Sequence, residues 1–530
     1  MATRFQPFPV ADLMQGFKPD WPTEQLKPGT FAVAQNVRFY DGFVRKTGGW
    51  TAKTGKVNSN GEVAGLITRA RFQDGTDAPV IATDQNVYYL LPDGTVNKLN
   101  AAAFTPNPGI RWETCSLPSS FFLNRRDGTM NVMKWDRTTF ADINDAKFGT
   151  MYGNPPQGMS LEQFKAHVVV GALTNDGSGN LSLQSVALSD LATGALTRGE
   201  FNWMYGSPAS ESVIEGFFSG NDNVVRVLRM GDYLVVYKEN TIDTLAYIGG
   251  QFVYLNQEPI TYMGVMCPSG VIGVRGVHVV ICQDDIYIFN GSNLEPIGDG
   301  VFQYFKDNIL PDDPYKLWSF NDILRDEVVF VGKNNLALTY NYVTRAFSTM
   351  TFPFTAADYV NLGGQFQPAW DEATGTWAEA GSGPPVSNVG RVWISAGTFA
   401  SLSILGADAA GNLYTLFGEG EQSAAGTAIN SRLETGFFDC GEPGRVKMVN
   451  EIRFDGNVNG AGGSDTPLQV YVAGQDNPQA TVSWQGPFTV YNNRATFTVS
   501  GRYHKFGFVK NGGYFDMTRF SFFWRLRGRF

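Results

Sequence analysis

The chain has 530 residues, of which 43% are hydrophobic and only 17% charged, with a net charge of -9. That length suits two to four domains, or one large all-β domain with a smaller partner. The acidic balance argues against wrapping of nucleic acid through phosphate contacts, which needs a basic patch, and does not argue against DNA passing an acidic wall; ordinary acidic solubility is the reading that charge alone favours.

The charged fraction lies below the usual quarter, and aromatic residues reach 14%. Sixty glycines and 26 prolines accompany them. Tight turns need glycine, and aromatic side chains fit pleated surfaces, so the composition predicts many short strands. Low charge with many aromatics also matches surfaces buried in assembly. The four cysteines, Cys115, Cys267, Cys282 and Cys440, have no C-x-x-C spacing, and His167, His278 and His504 are scattered singly. No zinc site or other cofactor site is expected, and so few cysteines suit folding in a reducing cytoplasm.

Residues 1–65 are rich in Pro and Gly and are expected to form an extended arm with a few strands. The first ten residues lack the apolar core of a secretory signal, and no apolar run is long enough to span a bilayer. A short helix is predicted over Pro9–Met14. Asn36–Tyr40 and Phe43–Lys46 flank Asp41-Gly42, a tight-hairpin signal. Gly49 to Lys56 superficially matches a phosphate-binding loop. Its spacing is one residue too long, and Val57 stands where a metal-holding Ser or Thr belongs, so a hairpin connection is expected.

Residues 66–425 repeat one pattern: an apolar strand, a turn of Asp, Asn or Gly, then a strand with Tyr or Leu. Val80–Leu91, Asp232–Ile242, Val279–Phe289, Glu327–Leu338 and Leu405–Leu416 carry it, and Phe121–Gly128 and Ala166–Leu173 read as degenerate copies. The copies recur at about 40 to 80 residues, where four-stranded propeller blades recur at about 40 to 50 with loop insertions. The expected fold is all-β: a propeller-like repeat with an extended N-terminal arm and a C-terminal β-sandwich. The uneven intervals leave the blade count open, and a pair of β-sandwiches would show the same alternation. Ser160–Lys165 and Val301–Asn308 are the other short helix candidates. Thr374–Asn388, rich in Gly and Pro, is expected to be a mobile insertion, and Gly418–Thr427 a linker.

Catalytic readings are weak. Gly216-Phe-Phe-Ser-Gly has the wrong spacing for a nucleophile elbow, and His278, between two valines, reads as a strand residue. Asp284-Asp285 and Asp312-Asp313 are adjacent pairs, which on a strand would point to opposite faces and could not share a substrate. Both read as turns. Asn175–Asn180 has calcium-loop composition without the ligand spacing, and reads as a hairpin tip.

Residues 428–530 alternate strongly, as in Leu468–Val472, Thr496–Val499 and Lys505–Val509, and predict a compact β-sandwich with a hairpin tip at Asn457–Pro467. Arg525, Arg527 and Arg529 stand at alternate positions and would line one face of a strand. They read either as a solvated edge guarding against aggregation or as a docking tail for an acidic partner surface.

Two stretches carry more. Residues 28–50 run from Pro28-Gly29 through Asn36-Val-Arg-Phe, Asp41-Gly42 and Arg45-Lys46 to Gly49-Trp50. Arg432–Asp439, Arg445–Arg453, Trp484–Pro487, Ser500–Phe506 and the closing Arg-Gly-Arg follow near the end. Together they resemble tail proteins of short-tailed bacteriophages, the hub or nozzle family. The resemblance implies a non-enzymatic virion protein, assembled in the bacterial cytoplasm into a ring, commonly a hexamer. Its implied partners are other copies of itself, the portal and head-to-tail adaptor proteins, tail fibres or spikes, and genomic DNA passing without sequence-specific contact. Asp284, Asp285, Asp312 and Asp313 are then candidates for lining the lumen, and Arg525, Arg527 and Arg529 for subunit docking. The alternative is a phage-encoded propeller that cleaves or binds glycans, its carboxylates brought together from distant blades.

Overall fold

In the computed structural model the described residues are all except 1–3, 58–61, 74–76, 92–94, 149–151, 192–201, 208–209, 218–221, 249–253, 362–401, 419–422, 459–465 and 528–530. The Thr374–Asn388 insertion, Arg529 and most of the 457–467 tip lie outside them.

Among the described residues, seven four-stranded antiparallel units follow one another along the chain. Blade 1 is Ala64–Arg71, Asp77–Thr83, Val87–Leu90 and Val96–Lys98; blade 2 is Trp112–Leu117, Ser120–Arg125, Met133–Trp135 and Phe140–Asp142. Blade 3 is Gln157–Phe164, His167–Asn175, Ser182–Leu188 and Val213–Gly216; blade 4 is Val224–Met230, Tyr233–Lys238, Ile242–Tyr247 and Tyr254–Ile260. Blade 5 is Val271–Val274, Val277–Ile281, Ile286–Phe289 and Leu294–Pro296; blade 6 is Trp318–Asp322, Glu327–Val331, Leu336–Asn341 and Ala346–Thr351. Blade 7 takes Phe354–Asn361, Leu402–Asp408 and Asn412–Leu416 from the end of the repeat region, and its outer strand Trp50–Lys56 from the N-terminal segment.

An apolar core fills each gap between neighbouring blades; the core between blades 5 and 6 is continuous with that of the sandwich, and the other six are separate. Strand alternation explains this directly: successive side chains point to opposite faces. Val168 and Val170 of blade 3 pack toward blade 2, whereas Val169 between them packs toward Val227 and Val236 of blade 4. Middle strands buried on both faces therefore read as unbroken apolar runs. The last gap joins Leu405 and Val360 of blade 7 to Ile67 and Ile81 of blade 1, so the seven blades close a ring. The inner strands agree, since Phe354–Asn361 returns to pack on Ala64–Arg71. The fold is a β-propeller, and radial closure leaves no long open sheet edge at the junction.

The C-terminal region forms a sandwich with N-terminal strands built into it. One sheet runs Gln6–Val10, Arg519–Leu526, Lys447–Asp455, Arg494–Gly501. The other runs Phe31–Gln35, Asn430–Thr435, Tyr503–Asn511, Gln469–Gln475, Gln485–Thr489. A parallel bridge from Gln35 to Thr349 joins this second sheet to the outer strand of blade 6, so one sheet runs through both modules. Phe438, Phe506, Phe508, Phe520 and Phe522 stack in the sandwich core, with Phe506 and Phe522 centroids 4.8 Å apart. The one α-helix among the described residues, Phe302–Asn308, buries Phe305 in the same core.

Several local expectations are corrected. Residues 1–65 do not extend as an arm: they supply two sandwich strands, the hairpin Val37–Tyr40/Phe43–Lys46, and the strand that closes blade 7. Asp41 and Gly42 both have positive φ (55° and 79°), as the hairpin turn requires. Gly49 to Lys56 is no hairpin connection, because residues 50–56 pair with Asn412–Leu416. Ser160–Phe164 is strand, its helical spacing overridden by pairing with His167–Asn175. Gln6–Val10 is also strand, so the Pro9–Met14 helix does not form.

Candidate functional site

The inner strands of all seven blades enclose an axial cavity of about 250 Å³. Its walls carry Arg111, Glu113 and Arg126 from blade 2 and its flanks, Glu162 from blade 3, Arg226 from blade 4 and Asp358 from blade 7. Of these, Arg126 bonds to the start of blade 5 and Arg111 to the start of blade 6 and to blade 7.

Glu113 is the hub. One carboxylate oxygen accepts from Arg126 Nε at 3.0 Å and lies 3.6 Å from Arg226 Nε. The other accepts from the Ser160 hydroxyl at 2.7 Å and the Leu161 N–H at 2.8 Å. Arg126 donates onward to the Ser269 hydroxyl at 2.6 Å, and Arg226 donates to the carbonyls of Pro268 and Val271 at 2.9 and 2.6 Å. Blades 2, 3, 4 and 5 are thereby tied together. Arg111 ties blade 2 to the far side, donating to the Thr355 carbonyl at 2.6 Å and the Lys316 carbonyl at 3.3 Å. Charge-assisted bonds of this kind are about twice as strong as neutral ones.

Burial dominates the electrostatics. It lifts Glu162 to about 7, against the pull of the Gln163 N–H and of Arg226. It lifts Asp358 to about 6, against the Tyr359 N–H and Arg69. It lowers Arg111 to about 9, with Arg126 adding to the effect. The cavity thus holds carboxyl groups that titrate near neutrality, inside a lattice of arginine cross-links. Its volume falls below the usual range of small-molecule sites, which starts at about 300 Å³. Its chemistry is that of a clasp holding the blades in register. No group of three or more His, Cys, Asp or Glu suited to a metal occurs among the described residues.

The four aspartates singled out in the sequence do not line this cavity. Asp284 and Asp285 occupy the turn between the second and third strands of blade 5. Asp284 accepts from the Tyr287 hydroxyl at 2.8 Å, and Asp285 from the Ile286 N–H at 2.7 Å. Asp313 caps the short turn Pro314–Lys316 by accepting from the Tyr315 N–H at 3.1 Å, and Asp312 faces Lys333 at 3.8 Å. In an antiparallel blade, the second-to-third-strand turn and the link to the next blade fall at the same end. All four aspartates therefore sit at one end of the propeller. Arg525 lies over the Phe5 ring at 4.7 Å, and Arg527 donates to the Ser500 hydroxyl at 3.0 Å. Arg525 lies near the end of the strand Arg519–Leu526 and Arg527 just past it; that strand is internal, flanked by Gln6–Val10 and Lys447–Asp455, so it guards no sheet edge. His278 is a buried strand residue whose Nδ1 lies 2.6 Å from the Tyr237 hydroxyl, and burial lowers it to about 4.

The cavity charges escaped the sequence reading because they are spread from residue 111 to residue 358, over blades 2, 3, 4 and 7, with no local motif joining them. A signal was available: Glu113, Glu162, Arg226 and Asp358 each stand in the first strand of a blade, so a charge recurs at the start of the repeat.

No family model matches the chain, and no curated protein matches it. Among solved structures it is similar to the WD40 domain of Neurospora crassa Pan2, at 9% identity and a TM-score of 0.35, over 71% of this chain and 98% of that one. The propeller assignment rests on the strand pairing and the inter-blade cores. No helix among the described residues is long and apolar enough to cross a membrane.

Proposed function

We propose that this chain is a structural, non-enzymatic subunit of a short-tailed bacteriophage tail, a hub or nozzle protein that assembles into a ring around the DNA path. One observation carries the reading. The two stretches that resemble phage tail proteins, hundreds of residues apart in sequence, pair into one module: Ala34 lies opposite Leu433, and Gln35 opposite Arg432. In this reading the sandwich, continuous with blade 6, is the assembly module, and the propeller is a rigid body held out from it. The propeller axis is tied by arginine cross-links, so DNA runs through the centre of the ring of subunits and not through a single propeller. Portal and adaptor proteins cap the ring, and fibres or spikes attach to its sides. The end that carries Asp284, Asp285, Asp312 and Asp313 faces the passage, where the like charge of these carboxylates keeps the DNA backbone from adhering. Closed rings need heterologous interfaces whose rotation closes. Hydrodynamic mass tests the assembly: a discrete oligomer is expected, and a monomer in both virion-extracted and recombinant protein counts against it.

The alternative, a phage protein that binds glycans, draws support from a groove on the sandwich described next.

A further inference from the structure

On the outer face of the sandwich, Gly507 leaves a dip in the strand Tyr503–Asn511. Cross-strand pairing places Glu434 on one side of it and Tyr471 on the other. Trp484, just before the edge strand Gln485–Thr489, overhangs the dip. A Cβ at position 507 would stand 3.3 Å from the indole Cη2 and 3.5 Å from the Tyr471 Cβ. The result is a groove of about 340 Å³ lined by Asn430, Arg432, Glu434, Tyr471, Trp484 and Val509.

Its floor is built from buried charge. Glu434 and Lys505 form an ion pair at 3.0 Å, their side chains 8% and 6% exposed. Arg432 bonds the same carboxylate through Nε at 2.8 Å and through Nη2, while its side chain stays 50% exposed. One carboxylate thus serves two cations, and the groove keeps a surplus positive charge. The Lys505 ammonium also lies 5.6 Å from the centre of the Trp484 ring.

We propose that this groove binds an acidic glycan, with a sugar ring against Trp484 and Tyr471 and its carboxylate on Arg432. Sugar C–H faces pack on aromatic rings by dispersion, and few polar groups are needed to set orientation. The planar guanidinium matches a carboxylate in a fork geometry that lysine lacks. The groove lies within the volume range of small-molecule sites.

Calorimetric titration of the full-length protein with a galacturonic acid oligomer, and with its neutral methyl ester, tests the assignment. The acid is expected to bind at least tenfold more tightly than the ester. Trp484→Ala and Tyr471→Ala are each expected to lose at least tenfold, with circular dichroism unchanged. Gly507→Ala places a Cβ 3.3 Å from the Trp484 indole, crowds that ring out of the dip, and is expected to weaken binding as well. Absence of binding to both sugars, or wild-type affinity in folded W484A and Y471A, overturns the site. Equal binding of acid and ester overturns the role of Arg432. The tail reading is tested separately: a ring-forming protein that ignores both sugars loses this site and keeps that reading, and a sugar-binding monomer does the reverse.

Discussion

Arg38 and Glu327 form a buried ion pair, Nε to Oε2 at 3.1 Å, with side chains 6% and 1% exposed. Arg38 belongs to the N-terminal hairpin and Glu327 to the second strand of blade 6. Asp322 lies 3.6 Å from the same guanidinium, and the Phe417 ring of blade 7 sits 4.2 Å from it. One side chain therefore fastens the N-terminal hairpin to two blades. Removing one member of a buried pair strands the other, at a cost of about 3–5 kcal/mol, whereas replacing both with apolar residues is often close to neutral. Arg38→Met is expected to lower unfolding free energy by that amount in urea titration. Pairing it with Glu327→Leu should recover part of the loss.

The axial carboxyl groups make stability depend on pH. Burial raises Glu162 from 4.5 to about 7 and Asp358 from 3.8 to about 6. A folded value above the unfolded one favours the native state fully at pH values below the unfolded value, and that contribution is lost as pH rises through the folded value. Stability from these groups should therefore fall between about pH 4 and pH 7, by on the order of 2 kcal/mol each once access to solvent in the cavity is discounted. Urea titrations from pH 4 to 8 check this. Glu162→Gln should flatten the upper part of the profile and leave the lower part in place.

Ring closure predicts where core damage spreads. Leu405 is fully buried in the gap between blades 7 and 1. Leu405→Ala is expected to cost about 2–5 kcal/mol. Deleting residues 1–56 removes the outer strand of blade 7 and should cost cooperativity as well, broadening the urea transition and exposing blade 7 to limited proteolysis.

How much of this was legible in the sequence depended on the range of the interactions. Val279–Phe289 and Glu327–Leu338 announce their hairpins because strand, turn and strand are contiguous and the turn residues are specific. Their unbroken apolar runs already imply burial on both faces. The closing strand Trp50–Lys56 was missed because its partner Asn412–Leu416 lies more than 350 residues away, and nothing local in Gly49–Lys56 distinguishes a pairing strand from a connection. The division into an arm, a repeat region and a sandwich failed to anticipate that N-terminal strands are shared by both modules. The axial clasp draws its charges from blades 2, 3, 4 and 7, three from blade 2 and its flanks and one from each of the others. The four aspartates read correctly as turns, but turn chemistry does not say which surface a turn faces.

The arginines of the last strand offer a test of assembly. Arg525 is held over Phe5 and Arg527 at Ser500, both at the sandwich surface. Arg527→Glu is expected to leave thermal unfolding within about 0.5 kcal/mol of wild type, as surface changes usually do. Docking to an acidic partner surface predicts a shift of the sedimentation profile toward monomer. An unchanged profile removes Arg527 from the interface.

The proposed placement of Asp284, Asp285, Asp312 and Asp313 at a DNA passage is tested on phage particles. Phages carrying lysine at Asp284 and Asp285, or at Asp312 and Asp313, are expected to eject DNA more slowly, because a basic wall attracts phosphate. Ejection at the wild-type rate places these turns away from the passage.

The most direct test is an electron cryo-microscopy image of phage particles labelled on this chain. The account predicts a closed ring of labels around the axis of the tail, with one sandwich and one propeller per subunit. Particles that lack the label, or that carry it singly and away from the axis, would contradict it.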